Sequence, residues 1–163
     1  MIRFDFIPRE DDPSWDREWQ PLNPATRRPV SLQELPGSAF TFECFQVNVV
    51  LEIGGANFNL AKKGIPALDF VLMLDNGVKE VGRFGESCVE TSISQDVLRF
   101  KTREGFVEVS SSFSSDVAKV SIGQLEQLVS GFLERTLELF REAHPQLTRN
   151  AYLNSVIQRV GSW

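Results

Sequence analysis

The first residues of the chain alternate between apolar and polar side chains. Ile2, Phe4 and Phe6 fall on one face of an extended chain, and Arg3 and Asp5 fall on the other. Alternation with a period of two is typical of a strand that is buried on one side only. The pattern therefore predicts a half-buried strand, which Pro8 ends.

A second strand and a hairpin are predicted within residues 38–60. Phe40, Phe42 and Cys44 stand at even-numbered positions, whereas the alternating apolar residues from Phe45 to Ile53 stand at odd-numbered positions. Such a change of parity predicts a β-bulge or a strong bend in one long strand. Gly54 and Gly55 then give a two-residue turn signal, so the chain is expected to return antiparallel over residues 56–60.

Residues 65–84 carry signals for both a hairpin and a helix. The sequence Asp75-Asn76-Gly77 is a strong hairpin signal. However, the apolar residues at 65, 68, 71, 72, 74, 78 and 81 follow helical spacings, and Pro66 suits a first helical turn. We interpret the region as a helix in which Gly77 is a weak point.

The rest of the chain predicts strands followed by helices. Three strands are expected over residues 86–93, 96–103 and 105–113, with a short edge strand within residues 116–122. Ser121 and Gln124 match a capping box, and an apolar stripe runs on to Ala143 before Pro145 stops the helix. A last short helix is expected near residues 148–160. This order predicts one α+β domain over residues 1–163, with a mainly antiparallel sheet of about five to seven strands and helices packed on one face.

Residues 8–37 have no hydrophobic period at all. Their central part, DDPSWDREWQPLNPATRRPV, holds four prolines and two tryptophans. Irregular segments longer than about 12–15 residues are usually functional or disordered, and disordered segments are poor in aromatic residues. A helical turn over residues 14–20 would place Trp15 and Trp19 on one side.

Two interpretations of these tryptophans are open. They could fold back over the edge of the core, or they could form a patch of large anchors with an acidic rim, as at protein interfaces. The second interpretation predicts a partner-binding set consisting of Asp11, Asp12, Trp15, Asp16, Glu18 and Trp19.

Composition restricts the partners and the compartment. The chain has 163 residues, a formal net charge of -5 and a pI near 5.0. These values argue against a basic nucleic-acid-binding face and would suit a basic protein partner. The sequence shows neither a signal-peptide pattern nor an apolar run near the roughly 20 residues of a membrane span. We therefore expect a cytoplasmic protein without a membrane partner, in which Cys44 and Cys88 are free, buried thiols.

Candidate catalytic chemistry is sparse. His144 is the only histidine, which excludes a multi-histidine metal site and leaves one imidazole base. It precedes Pro145 at a helix end, where a structural role is expected. The carboxylates of Asp69, Asp75, Glu90, Asp96 and Glu108 are interpreted as ordinary surface acids, and Arg99, Lys101 and Arg103 as one solvated strand face. No metal or cofactor is predicted.

The span from Phe40 to about Leu147 resembles immunity proteins of bacterial polymorphic toxin systems. The resemblance lies in the order of a glycine-turn hairpin (VNVVLEIGGANFNL), the segment GIPALDFVLML, a strand meander (DVLRFKTREGFVEVSSSF) and a long helix (LEQLVSGFLERTLELFREAHPQL). It implies a small, non-catalytic, cytosolic inhibitor that binds one cognate toxin, and it carries over no functional residue.

We therefore expect a non-enzymatic inhibitor that neutralises a cognate protein toxin by occlusion. The alternative is a small-ligand-binding or enzymatic α+β domain with a pocket between sheet and helices. A toxin gene next to this one, or capture of a partner, would discriminate between the two functions.

Overall fold

The computed structural model describes residues 1–162, so the domain predicted over residues 1–163 is described as far as Ser162. A first antiparallel sheet contains β1 (Ile2–Pro8), β2 (Gln46–Ile53), β3 (Ala56–Asn57) and β4 (Leu60–Pro66), and a second contains β5 (Glu86–Glu90), β6 (Val97–Arg103), β7 (Phe106–Ser111) and β8 (Ala118–Val120). The α-helices are α1 (Ala67–Phe84), α2 (Ile122–Ala143) and α3 (Ala151–Arg159). The predicted α+β class is confirmed, and the strands are shared between two sheets of four.

Strand β2 is the centre of the first sheet. It pairs with β1 on one side, with Phe4 opposite Leu51, and with β3 and β4 on the other. Its alternation buries Val47, Val49, Leu51 and Ile53. The predicted hairpin after Ile53 is confirmed, because Gly54 and Gly55 have φ of +57° and +88°, which glycine adopts without a steric cost.

The long strand predicted ahead of residue 46 is wrong. Residues Ala39–Glu43 form a single π-helical turn, closed by the Cys44 amide, which donates to the Ala39 carbonyl at 2.8 Å. The turn buries Phe40 and Cys44 but exposes Phe42, so the three residues that share one parity in the sequence do not share one face. The alternating apolar positions change from even to odd numbers at Phe45, because this residue takes a left-handed conformation with φ of +62°.

Helix α1 resolves the ambiguous region in favour of a helix, as predicted. Pro66 precedes its first turn, and Gly85 closes it with φ of +77°. Gly77 lies where α1 approaches β6 closely: a Cβ atom there would stand 2.8 Å from the Phe100 ring. The residue expected to weaken the helix therefore lets it pack against the second sheet.

Helix α2 packs on the first sheet through a buried stripe. Ser121 and Gln124 form the predicted capping box. The Phe132 ring lies 4.6 Å from that of Phe6 and 4.9 Å from that of Phe4, measured between centroids. Contact is close because α2 presents Gly131, where a Cβ atom would collide with Phe4.

The two sheets are joined through α1 and through one loop. Helix α1 packs against β5 and β6 of the second sheet, against β4 of the first and against α2. In addition, the Asn57 amide donates to the Asp116 carboxylate at 2.8 Å. Phenylalanine rings, among them Phe70 and Phe100, fill the space between sheets and helices. None of the helices within residues 1–162 has the length and apolar content that a membrane span requires.

Candidate partner-binding surface

The irregular segment, residues 8–37, folds back onto β2 and is fastened there by Asp12. The Asp12 carboxylate accepts hydrogen bonds from the Ser14 amide (2.9 Å), the Ser14 hydroxyl (2.7 Å) and the Gln46 amide (2.7 Å). The Ser14 hydroxyl oxygen also accepts from the Phe45 amide at 2.7 Å. These bonds, which we call the Asp12 clasp, serve backbone groups of the left-handed turn that opens β2.

His144, at the end of α2, binds the same part of the irregular segment. It ends the helix, as predicted, and its ring is buried. Nε2 lies 2.7 Å from the Ser14 carbonyl oxygen, so this nitrogen carries the proton and donates it. The imidazole thus joins the end of α2 to the irregular segment.

Trp15 covers the core. Its indole N–H donates to the Gln46 carbonyl at 2.7 Å. Its ring centroid lies 5.1 Å from that of Phe45 and 6.0 Å from that of Phe140. Because both the ring and its polar atom are engaged within the chain, Trp15 offers a partner little beyond an edge.

Trp19 differs from Trp15 in its polar atom. The ring packs on Phe45 and His144, with centroid distances of 5.7 Å and 5.8 Å, and remains half-buried. Within residues 1–162 its indole N–H has no hydrogen-bond partner, and it is not among the buried unpaired atoms. One side of Trp19 therefore packs on the core while its donor is open to solvent.

The helical turn predicted over residues 14–20 is wrong in extent. Only Pro13–Trp15 forms a 3-10 turn, and a separate bend follows in which the Trp19 amide donates to the Asp16 carbonyl. Both indoles do lie on one side, but that side faces Phe45. The structure thus places Trp15 as core cover and Trp19 at the boundary of the core and the surface.

The four acidic residues predicted to form a rim have different environments. Asp11 is exposed and forms two 2.9 Å hydrogen bonds with Arg9, which lower the pKa of its carboxyl. Both oxygens of the Asp12 carboxylate accept hydrogen bonds in the Asp12 clasp. The Asp16 carboxylate accepts from the Glu18 amide, and the Glu18 side chain is exposed. Of the four predicted acids, only Asp16 and Glu18 therefore retain free acceptor capacity beside Trp19 within residues 1–162.

A ten-residue loop projects beyond Trp19. We call residues 21–30 the proline loop. The Val30 amide donates to the Pro21 carbonyl and the Asn23 amide to the Arg28 carbonyl, both at 2.8 Å, while Leu22 and Pro29 form an isolated bridge. The Asn23 side chain accepts from two amides of the tip. Every residue from 22 to 29 is exposed, including the apolar Leu22.

Two grooves flank the indole of Trp19. One, of about 370 Å³, lies toward His144 and is lined by Arg17 and Glu18 among others. The other, of about 540 Å³, lies between the proline loop and the turns that contain Glu34 and Glu43. Sequence reasoning missed Leu22, Val30, Glu34 and Glu43 as members of this surface. The Asn-Pro pair at residues 23 and 24, a turn initiator, was the available signal for the loop.

Two of the acidic residues considered for catalysis, Asp69 and Asp75, are engaged in hydrogen bonds within the fold. Asp69 and Asp75 are buried, which corrects their interpretation as surface acids. Asp69 accepts from the amide and hydroxyl of Ser92, and Asp75 from Lys79 and from the Gly161 amide. Within residues 1–162, no group of three or more His, Cys, Asp or Glu side chains is arranged to hold a metal ion.

The outer face of the second sheet carries alternating charge. Across the four strands, Glu86 stands opposite Lys101, Lys101 opposite Glu108, and Glu108 opposite Lys119. Opposite charges on neighbouring strands are typical of a solvated sheet face, which agrees with the interpretation of Lys101. Cys88 lies on this face and is exposed, so the prediction that both cysteines are buried holds only for Cys44.

Comparison of the chain with protein-family models, with curated proteins and with solved structures finds no match. The surface around Trp19 is therefore the feature of the molecule that indicates a function.

Proposed function

We propose that the protein is a non-enzymatic inhibitor that binds another protein, of the kind formed by immunity proteins of bacterial polymorphic toxin systems. Its partner would be a cognate toxin with a basic surface, which it would occlude in the cytoplasm. The observation that carries the proposal is Trp19: a large aromatic side chain, with its donor free within residues 1–162, between two grooves and beside a projecting loop.

The setting of Trp19 matches what binding hot spots require. Tryptophan is enriched at such positions, where a rigid ring meets a partner pocket and its polar atom finds a new acceptor. The Asp12 clasp and His144 hold the segment in place before any partner arrives. Such preorganisation lowers the entropy that binding would otherwise lose.

The net charge of -5 supports a basic partner. Long-range attraction between opposite charges raises the association rate more than the final affinity. The acids Asp16 and Glu18 would act at the rim of the contact. Asp11, which is exposed and paired with Arg9, and Asp12, which forms the clasp, would support the segment.

Growth protection tests the proposal. A toxin encoded by the neighbouring gene should arrest growth when expressed alone, and co-expression of this protein should restore growth. Trp19→Ala should weaken binding of the purified toxin by about 30-fold or more, which corresponds to about 2 kcal/mol. The matched variant Trp15→Phe should keep affinity close to wild type. Failure to restore growth, or equal losses of affinity in both variants, would contradict the proposal.

A further inference from the structure

The groove between the proline loop and residues 34–44 has apolar walls. We call this 540 Å³ groove the Trp19 groove. Trp19, Pro21, Leu22, Val30, Leu35 and Pro36 contribute to its walls. The prolines and the ring of Trp19 fix the shape of the walls, because none of these side chains has many rotamers to lose on binding.

Its charge has one sign. Glu34 and Glu43 line the Trp19 groove, and none of the lysines or arginines within residues 1–162 does. Both side chains are exposed, and within residues 1–162 neither carboxylate forms a hydrogen bond or an ion pair. The groove on the other side of Trp19 is different, since Arg17 offsets Glu18 there.

Cys44 also lines the Trp19 groove, and the pKa of its thiol is raised. Burial raises the pKa of its thiol to about 12, and the charges of Asp12 and Glu43 contribute in the same direction.

We infer that the Trp19 groove receives an arginine side chain of the partner protein. Its aliphatic stem would lie along the proline and leucine walls, its guanidinium plane would stack on the indole of Trp19, and its N–H groups would donate to Glu34 and Glu43. Arginine suits this site better than lysine because its planar cation stacks on aromatic rings and is more weakly hydrated. The identity of the protein that supplies the arginine rests on the proposed function, whereas the chemistry of the groove does not.

A short peptide tests the groove without the toxin. The probe is acetyl-Gly-Arg-Gly-amide, titrated into the full-length, ¹⁵N-labelled protein. The matched probe carries citrulline, which keeps the shape of arginine but has no charge. We expect the Trp19 Nε1–H resonance, assigned with Trp19→Phe, to shift saturably with the arginine peptide and at least tenfold more weakly with the citrulline peptide. The Trp15 Nε1–H resonance, which is hydrogen-bonded to Gln46, should stay in place.

Two double variants of equal charge complete the test. Glu34→Gln with Glu43→Gln should weaken arginine-peptide binding about tenfold or more, whereas Glu86→Gln with Glu134→Gln, at exposed sites elsewhere, should not. Equal response to both peptides, equal response of both double variants, or no saturable shift at Trp19 would overturn the inference. Growth protection without arginine selectivity would contradict only the inference that the Trp19 groove binds arginine. Arginine selectivity without growth protection would contradict only the proposal that the partner is a toxin.

Discussion

At the scale of single residues, two tryptophans four positions apart both pack on Phe45, but only Trp15 has a hydrogen-bond acceptor within residues 1–162 for its indole N–H. The sequence places both in the same acidic, proline-rich stretch, and nothing local separates them. The difference comes from Gln46, 31 residues away along the chain from Trp15, whose carbonyl accepts the Trp15 N–H. A long-range hydrogen bond of this kind has no local signature in the sequence, so which indole covers the core could not be predicted.

The two indoles should therefore respond differently to the same substitution. Trp15→Phe removes the hydrogen bond to Gln46 and part of the contact with Phe45 and Phe140, and should lower the free energy of unfolding by about 1–2 kcal/mol. Trp19→Phe removes no hydrogen bond within residues 1–162 and should cost less than about 1 kcal/mol. Urea unfolding followed by far-UV circular dichroism measures both. Equal losses would contradict the assignment of Trp15 as core cover.

The buried thiol of Cys44 should make stability depend on alkaline pH. Its pKa rises from the usual 9.0 to about 12 in the folded chain. Between these values the unfolded thiol loses its proton and the folded thiol keeps it, so stability falls as pH rises. The expected slope is at most about 1.4 kcal/mol per pH unit.

The variant Cys44→Ala isolates this contribution. It should be less stable at neutral pH because it leaves a small cavity, yet its free energy of unfolding should fall less steeply above pH 9 than that of the wild type. Parallel pH profiles for the two proteins would show that the thiol of Cys44 ionises as easily folded as unfolded.

At the scale of elements, hydrophobic periodicity predicted most of the fold. The stripe of α2, the capping box at Ser121 and the glycine hairpin after Ile53 are strong local signals, and the structure contains all three. The strand predicted through residues 40–44 is wrong because Phe40, Phe42 and Cys44 alternate with polar residues in the sequence, whereas the chain forms a π-helical turn there that buries Phe40 and exposes Phe42. The proline loop has no apolar period, since it is fixed by backbone hydrogen bonds and by the Asn23 side chain.

The irregular segment is an element in its own right, and the Asp12 clasp should hold it in place. Asp12→Ala leaves the amides of Ser14 and Gln46 without their acceptor, and should cost roughly 2–4 kcal/mol. It should also speed trypsin cleavage after Arg17 and Arg27, because the segment opens more often. The control, Asp16→Ala, removes only an exposed bond to the Glu18 amide. Unchanged cleavage in Asp12→Ala would mean that the segment is held by Trp15 and His144 without the clasp.

At the scale of the whole molecule, two separate sheets share one set of helices. Helix α1 packs against both sheets, and the close contact of Gly77 with Phe100 leaves no room for a side chain between α1 and β6. The sequence predicted most of the strands, but neither β4 nor the division of the strands into two sheets. Which sheet a strand joins depends on which face of a helix covers it. The apolar stripe of a helix such as α1 does not show that it packs on two different sheets.

This sharing of helices should make the two sheets unfold together. A chain whose central helix contacts both sheets loses the packing of each when either one opens, so a single cooperative transition is expected. In a Trp163→Phe background, the fluorescence of Trp15 and Trp19 monitors the end of the first sheet. Amide hydrogen exchange at Phe100 and Val109 monitors the second sheet and should give the same opening free energy as exchange at Val47 and Val49. Gly77→Val, which forces a side chain against Phe100, should lower all these values together. If it lowered protection in the second sheet alone, the sheets would be separate cooperative units, and the prediction of one domain would be wrong.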